Sequence, residues 1–162
     1  MPEKETIAKA RRDRRAGKSA STQAGEFVRE EMHHVREGKH GARSSKQAIA
    51  IGLSKARRVG MKLPPPEKGQ ASEETRRNAQ HAMSRSRSRR RPSTRRSRAV
   101  RTALRREGRS AASTRSLSRQ AHTTVRRRGA GSLKAAARKA ARTKGRAGRV
   151  AAARKAARTR KK

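Results

Sequence analysis

Positive charge is distributed very unevenly along this chain of 162 residues. Residues 76–162 contain thirty-two Lys or Arg and a single acidic residue, Glu107, whereas residues 1–75 contain seventeen basic and ten acidic residues. Like charges at this density repel one another and oppose collapse around a core. The sequence therefore predicts a basic tail without fixed structure, and a polyanion as the partner of that tail.

The low content of large apolar residues also predicts disorder. Leu, Ile, Val and Phe together number fifteen, below the roughly 20% at which a highly charged chain is expected to be disordered. The absence of Cys excludes disulfides, cysteine-based zinc fingers and thiol catalysis. No apolar run is long enough to cross a membrane, and the charged N-terminus does not resemble a secretory signal. We predict a cytoplasmic protein that is mostly disordered with α-helical segments.

The pattern of residue types divides the chain into four segments. Alternation of polar, apolar, Pro-rich and basic stretches predicts the boundaries. They are a polar N-terminal arm (1–25), a helical hairpin (26–63), a Pro-bounded polar linker (64–83) and a basic tail that is Arg/Ser-rich and then Ala/Lys/Arg-rich (84–162).

Apolar residues recur at helical spacing only in the hairpin segment, near residues 26–60. Ser44 or Ser45 is suited to cap its second helix, and Gly38 and Gly60 are placed to end the two helices. The hairpin is small enough to need support, and a homodimer through it is one option. Its two apolar faces comprise Val28, Met32 and Val35, and Ile49, Leu53 and Ala56.

The tail ends in a repeat. The nonapeptide AAARKAART occupies residues 135–143 and again 151–159. Alanine favours helix, but like charges four residues apart oppose it until a phosphate neutralises them. We expect coil in the free tail and helix on nucleic acid, with Gly145 and Gly148 as joints between the copies.

Residues 27–66 resemble a small bacterial family of unknown function. The resemblance lies in Glu31-Met32-His33, in the Gly38-Lys39 turn and in KQAIAIGLSKARRVG from Lys46 to Gly60. Some members of that family are labelled plasmid-stabilisation or DNA-binding proteins, so the resemblance implies plasmid maintenance as one alternative function. The tail is similar to bacterial linker-histone-like proteins in its Ala/Lys/Arg runs, which implies DNA compaction.

Charge and resemblance together favour a nucleoid-associated protein that binds duplex DNA by neutralising phosphates, without sequence specificity. RNA, for example in ribosome assembly, is the alternative partner. The scarcity of aromatic side chains weakens it, because unpaired bases are usually stacked on such side chains. The predicted contact residues are Arg85, Arg87, Arg89, Arg90, Arg91, Arg95, Arg96, Arg126, Arg127, Arg128, Arg138, Lys139, Arg142, Arg154, Lys155 and Arg158.

Three other interpretations of the sequence have weaker support. No nucleophile–base–orienter set is identifiable, so no enzyme activity and no cofactor are predicted. His33 and Glu37, four residues apart, could face one ion, but no third ligand has suitable spacing, and no metal site is predicted. A helix–turn–helix would place Lys46 and Gln47 at the start of a recognition helix, although the connection is longer than usual.

Overall fold

The computed structural model describes residues 2–69, 71–87 and 93–160. Most of these residues are helical. In chain order the helices are α1 (Lys4–Arg15), α2 (Ala20–Arg36), α3 (Ser45–Arg58), α4 (Glu73–Arg87), α5 (Thr94–Arg106) and α6 (Thr114–Arg160), with a short 3₁₀ turn at Ser110–Ala112 before α6.

The prediction of a mostly disordered chain is wrong, because the protein is folded and helical. The fraction of Leu, Ile, Val and Phe gave the wrong prediction because it counts only large apolar side chains, whereas much of this core is alanine. Alanine also has the highest helix propensity, and Lys and Arg follow closely, so the basic segments satisfy their backbone hydrogen bonds without a large core. Two compact units result: one extends as far as His122 and the other begins at Thr123.

The centre of the first unit is the pair α2 and α3. Ser44 caps α3 through a hydrogen bond that its Oγ accepts from the Gln47 amide at 3.3 Å. The two helices cross at Gly52, where a β-carbon would lie 2.7 Å from the Val28 Cα. Glycine at this position lets the backbones approach far more closely than side chains would allow.

The unit is larger than the hairpin drawn from the sequence. α1 packs on α2, and Ala10 joins a cluster around the fully buried Phe27. Ser19 caps α2 by accepting from the Thr22 amide, so this helix begins at Ala20. The first twenty-five residues therefore supply a packed helix and the start of another.

A segment of the predicted tail completes the core. Ala111 and Ala112 are buried against Met32, Val35 and Ala48, with Leu117 packed at the edge of the same cluster. Residues 104–112, which we call the docked segment, pack against α2, α3 and the turn between them through backbone hydrogen bonds. Its carbonyl groups accept four hydrogen bonds of 2.7 to 3.1 Å from α2, α3 and the turn between them. Leu104 accepts from the Gly41 amide, Gly108 from the Ala42 amide, Ala111 from Ser45 Oγ, and Ala112 from Arg36 Nε.

A buried network of charged side chains lies between α2 and α3. The Lys55 ammonium on α3 lies 3.0 Å from Glu30 Oε1 and 2.7 Å from Glu31 Oε2. Burial alone would lower the pKa of Lys55, but the two carboxylates outweigh this and raise it. Burial alone would raise the pKa of Glu30, but hydrogen bonds from Lys55, Thr6 and the Glu3 amide lower it overall. The network thus favours the charged forms of the Lys55 ammonium and the Glu30 carboxylate inside the fold.

Candidate nucleic-acid interface

The second compact unit is formed by the part of α6 that follows His122. Its helix is interrupted at Gly129 (φ 73°, ψ 166°) and at Gly145 (φ 62°, ψ −176°). This backbone region is accessible in practice only to glycine. The two breaks are sixteen residues apart, which is also the spacing of the AAARKAART copies, so each copy lies in its own helical stretch. The second predicted joint, Gly148, lies within a helical stretch.

The cations of the two copies are exposed to solvent. Arg138 and Arg142 are four residues apart and so share one face of their helix, and Arg154 and Arg158 repeat this arrangement. No acidic residue occurs anywhere after Glu107. The cations of this unit therefore have no carboxylate within their own unit to neutralise them.

The other predicted contact residues are distributed over three helices. Arg95 and Arg96 are exposed in the first turn of α5, and Arg85 is exposed near the end of α4. Arg126, Arg127 and Arg128 are exposed on α6 just before the Gly129 break. α4 ends at Arg87, and the predicted residues Arg89, Arg90 and Arg91 lie outside the described residues.

The conformation of the free tail differs from the prediction. The sequence predicted coil that becomes helical on nucleic acid, and assigned intrinsic disorder to this region. Both are wrong, since the described part of residues 93–160 is already largely helical. Like charges four residues apart cost only about 0.2–0.5 kcal/mol per pair, which the propensity of the alanine-rich sequence offsets.

Two residues at the ends of α3 show which polar groups are committed to the fold. Arg57 is buried, its Nε donates to the Leu63 carbonyl at 3.4 Å, and burial lowers its pKa. Gln47 uses its Oε1 to accept from the Arg43 amide at 2.7 Å. The Arg57 side chain and the amide oxygen of Gln47 are therefore committed to contacts within the fold.

One side of the first turn of α3, at Ser45, is buried, whereas Lys46 is exposed. Ser45 donates to the Ala111 carbonyl, and its oxygen lies 2.7 Å from the Ser116 hydroxyl. A recognition helix must offer its first turn to base edges. The Ser45 side of this turn is therefore unavailable to base edges, and the helix–turn–helix interpretation of Lys46 and Gln47 stays a prediction.

The fold brings together a set of titratable residues that the spacing of the sequence did not single out. Ligand atoms of Glu31, His34 and His40 lie within 4.8 Å of one another. His33 and Glu37, the pair considered from the sequence, are exposed and outside this group. The spacing of Glu31 and His34, three residues apart on α2, could have indicated that they share one face of the helix. The position of His40 beside them depends on the turn after α2, which the sequence does not reveal.

Residues 4–68 match a family of unknown function (DUF6496). The match spans α1, α2, α3 and the Pro-rich stretch that follows, and it stops before α4. No curated protein matches the chain, and no solved structure does. Among the described residues, no helix is both long and apolar enough to cross a lipid bilayer.

Proposed function

We propose that this protein binds duplex DNA through its phosphates, without reading base sequence, and that it acts as a nucleoid-associated DNA-compacting protein in a bacterial cytoplasm. The observation that carries the proposal is the exposure of the cations of the two AAARKAART copies, in a unit whose sequence contains no Asp or Glu. The bacterial origin and the motif inferred for residues 27–66 belong to the same proposal.

The density of charge on α6 suits a polyphosphate. Residues 134–144 hold five cations, and an α-helix rises about 1.5 Å per residue, so one cation occurs for about every 3 Å of axis. Each strand of duplex DNA places one phosphate for about every 3.4 Å of its axis. A helix lying along the backbone can therefore pair cations with successive phosphates.

The aromatic inventory favours a duplex over unpaired bases. Phe27 is the single aromatic residue of the types Phe, Trp and Tyr, and it is fully buried in the first unit. Recognition of single strands and RNA loops generally relies on bases stacked on exposed aromatic rings. Phosphate contacts, which need no ring, remain the available mode of binding.

The test is a salt titration of binding by the full-length protein. Fluorescence anisotropy with a random-sequence duplex should give an affinity that falls steeply with salt. A variant carries Gln in place of all six cations of the two copies: Arg138, Lys139, Arg142, Arg154, Lys155 and Arg158. Its slope of log K against log salt should become less negative by up to about 5, at about 0.9 per lost phosphate contact.

The matched control replaces six exposed alanines of the same helices with Gln and keeps every charge. It should retain the slope of the native protein. An unchanged slope in the six-cation variant would contradict the proposal. A structured RNA of equal charge that outcompetes the duplex tenfold or more would instead support the RNA alternative, with a role in ribosome assembly.

A further inference from the structure

His34 and His40 share one hydrogen-bonding arrangement. Nδ1 of His40 lies 3.0 Å from the Gly41 carbonyl oxygen, which can only accept, so this nitrogen carries a proton. The other nitrogen, Nε2, faces Glu31 Oε1 at 3.1 Å. His34 places Nε2 2.8 Å from Glu3 Oε1 and turns Nδ1 toward Glu30, whose Oε1 is 4.0 Å away. Each ring therefore bonds outward with one nitrogen and faces a buried carboxylate with the other.

Glu31 is fully buried, and neither carboxylate oxygen has a hydrogen-bond partner among the residues that the structure describes. Lys55 Nζ lies at ion-pair distance from Oε2 but outside hydrogen-bonding geometry. On the other oxygen, Nε2 of His40 lies 3.1 Å from Oε1 but outside hydrogen-bonding geometry. A cation coordinated by both atoms would compensate this unsatisfied oxygen.

Charge around the cluster also favours a cation. Glu30 and Glu31 are both buried, and among the described residues Lys55 is the one ammonium within ion-pair distance of both. Two buried carboxyl groups therefore share one ammonium. Buried charge of this kind is costly unless it is paired or coordinates a metal.

We propose that Glu31, His34 and His40 bind a divalent transition metal of the Zn²⁺ class. Two imidazoles and a carboxylate are a ligand set that this class accepts, with a fourth position left for water or Glu30. Ligand atoms around a tetrahedral ion lie about 3.3 Å apart, so the present group, within 4.8 Å, needs only a modest contraction.

The surroundings of the three residues fit that role. Ligating histidines usually donate their second ring N–H to a carbonyl or carboxylate, as His40 does to Gly41 and His34 does to Glu3. Lys55 contacts Glu31 through Oε2 and leaves Oε1 to the ion. The ammonium would then orient the ligating carboxylate without competing for the same oxygen.

Binding at this site would also fix the turn on which the docked segment depends. His40 directly precedes Gly41, whose amide donates to the Leu104 carbonyl at 2.8 Å. An ion held by His40 and by two residues of α2 ties that turn to the helix. The inference is independent of the proposed DNA binding, because none of the three residues belongs to α5 or α6.

The experiment uses the full-length chain without a histidine tag, after dialysis against a chelator. Co²⁺ is added first, because the visible d–d bands of tetrahedral Co²⁺ are far more intense than the weak bands of the octahedral aqua ion. Zn²⁺ affinity is then measured by competition with a chromophoric chelator. We expect one ion per chain, displacement of Co²⁺ by Zn²⁺, and a Zn²⁺-dependent rise in the unfolding midpoint.

His34→Gln and His40→Gln should each weaken Zn²⁺ binding about 100-fold or more and remove the d–d band. His33→Gln is the matched control, since it changes an exposed histidine on the same helix, and it should leave both unchanged. Circular dichroism of each variant confirms that it retains its helices. If a ligand variant unfolds, Glu31→Gln provides the same comparison.

Two results would overturn the inference. One is a native protein without the intense Co²⁺ d–d band and without stoichiometric Zn²⁺ binding. The other is equal weakening by His33→Gln and His40→Gln, which would mean that Zn²⁺ binds to surface histidines only.

Discussion

Gly52 of α3 contacts Val28 of α2 at the point where the two helices cross. A β-carbon at position 52 would lie 2.7 Å from the Val28 Cα and 3.0 Å from the Phe27 carbonyl oxygen. Because both neighbours are backbone atoms, they can yield only if the two helices separate. This contact sets the distance between α2 and α3, and therefore the depth at which Phe27 and Ala48 are buried.

Gly52→Ala should destabilise the fold by about 1–2 kcal/mol, because overpacking outweighs the better helix propensity of alanine. Gly25→Ala is the matched control. Gly25 lies within α2, and a β-carbon there would meet nothing within 4 Å. It should stabilise by about 0.5–1 kcal/mol. Chemical unfolding followed by circular dichroism measures both, and the same sign for the two variants would contradict the close crossing.

Two truncations should separate the docked segment from the remainder of the basic region. Deletion of residues 123–162 should leave the unfolding midpoint nearly unchanged, since the buried clusters contain no residue beyond Leu117. Deletion of residues 107–162 should cost about 2–4 kcal/mol, because it removes two buried alanines and the hydrogen bonds to Ser45 and Arg36. Ala112→Asp in the full chain should reproduce the loss. Equal midpoints for both truncations would show that the segment does not dock.

Lys55→Met should destabilise the metal-free protein by about 3–5 kcal/mol, because it leaves Glu30 and Glu31 buried without their ammonium. Adding Glu31→Gln should recover much of the loss. Lys46→Met, at an exposed position of the same helix, is the control and should change stability by less than about 0.5 kcal/mol. Unfolding is followed in chelator-containing buffer, and a Lys55→Met protein of native stability would contradict the charged state of this network.

Gln47→Ala should lower stability by about 0.5–1 kcal/mol and leave DNA affinity unchanged. The side chain accepts from the Arg43 amide at the start of α3 and is therefore part of the helix cap. Anisotropy with several duplex sequences, together with chemical unfolding, separates the two effects. Selective loss of binding to one DNA sequence would indicate that α3 contacts bases. It would contradict the proposal that the protein contacts phosphates only.

Local chemistry was enough to place the two central helices. Their apolar stripes, the cap at Ser44 and the positive-φ glycines Gly38 and Gly60 act within a few residues along the chain. Such features depend on side-chain period and on single backbone conformations, both of which are written directly in the sequence. The start of α2 at Ala20 was missed because residues 1–25 were assigned to a polar N-terminal arm.

The extent of the fold was not predictable in this way. Ala111 and Ala112 belong to a segment rich in Arg and Ser, and they are buried because carbonyl groups of that segment meet amides of the turn after α2. Backbone hydrogen bonds carry no residue signature, and alanine gives a weak hydrophobic signal. A composition threshold based on large apolar residues therefore predicted disorder where close helix contacts and small side chains suffice.

The sequence by itself determined the charge of the basic region, the absence of acidic residues after Glu107 and the sixteen-residue period of the repeat, since these are properties of composition and order. Tertiary structure alone decided that Ala111 and Ala112 belong to the core, and that Glu31 and His34 meet His40. The reason is physical: charge and helix propensity act locally, whereas burial and a shared cluster of ligand atoms depend on which distant segments the chain brings together.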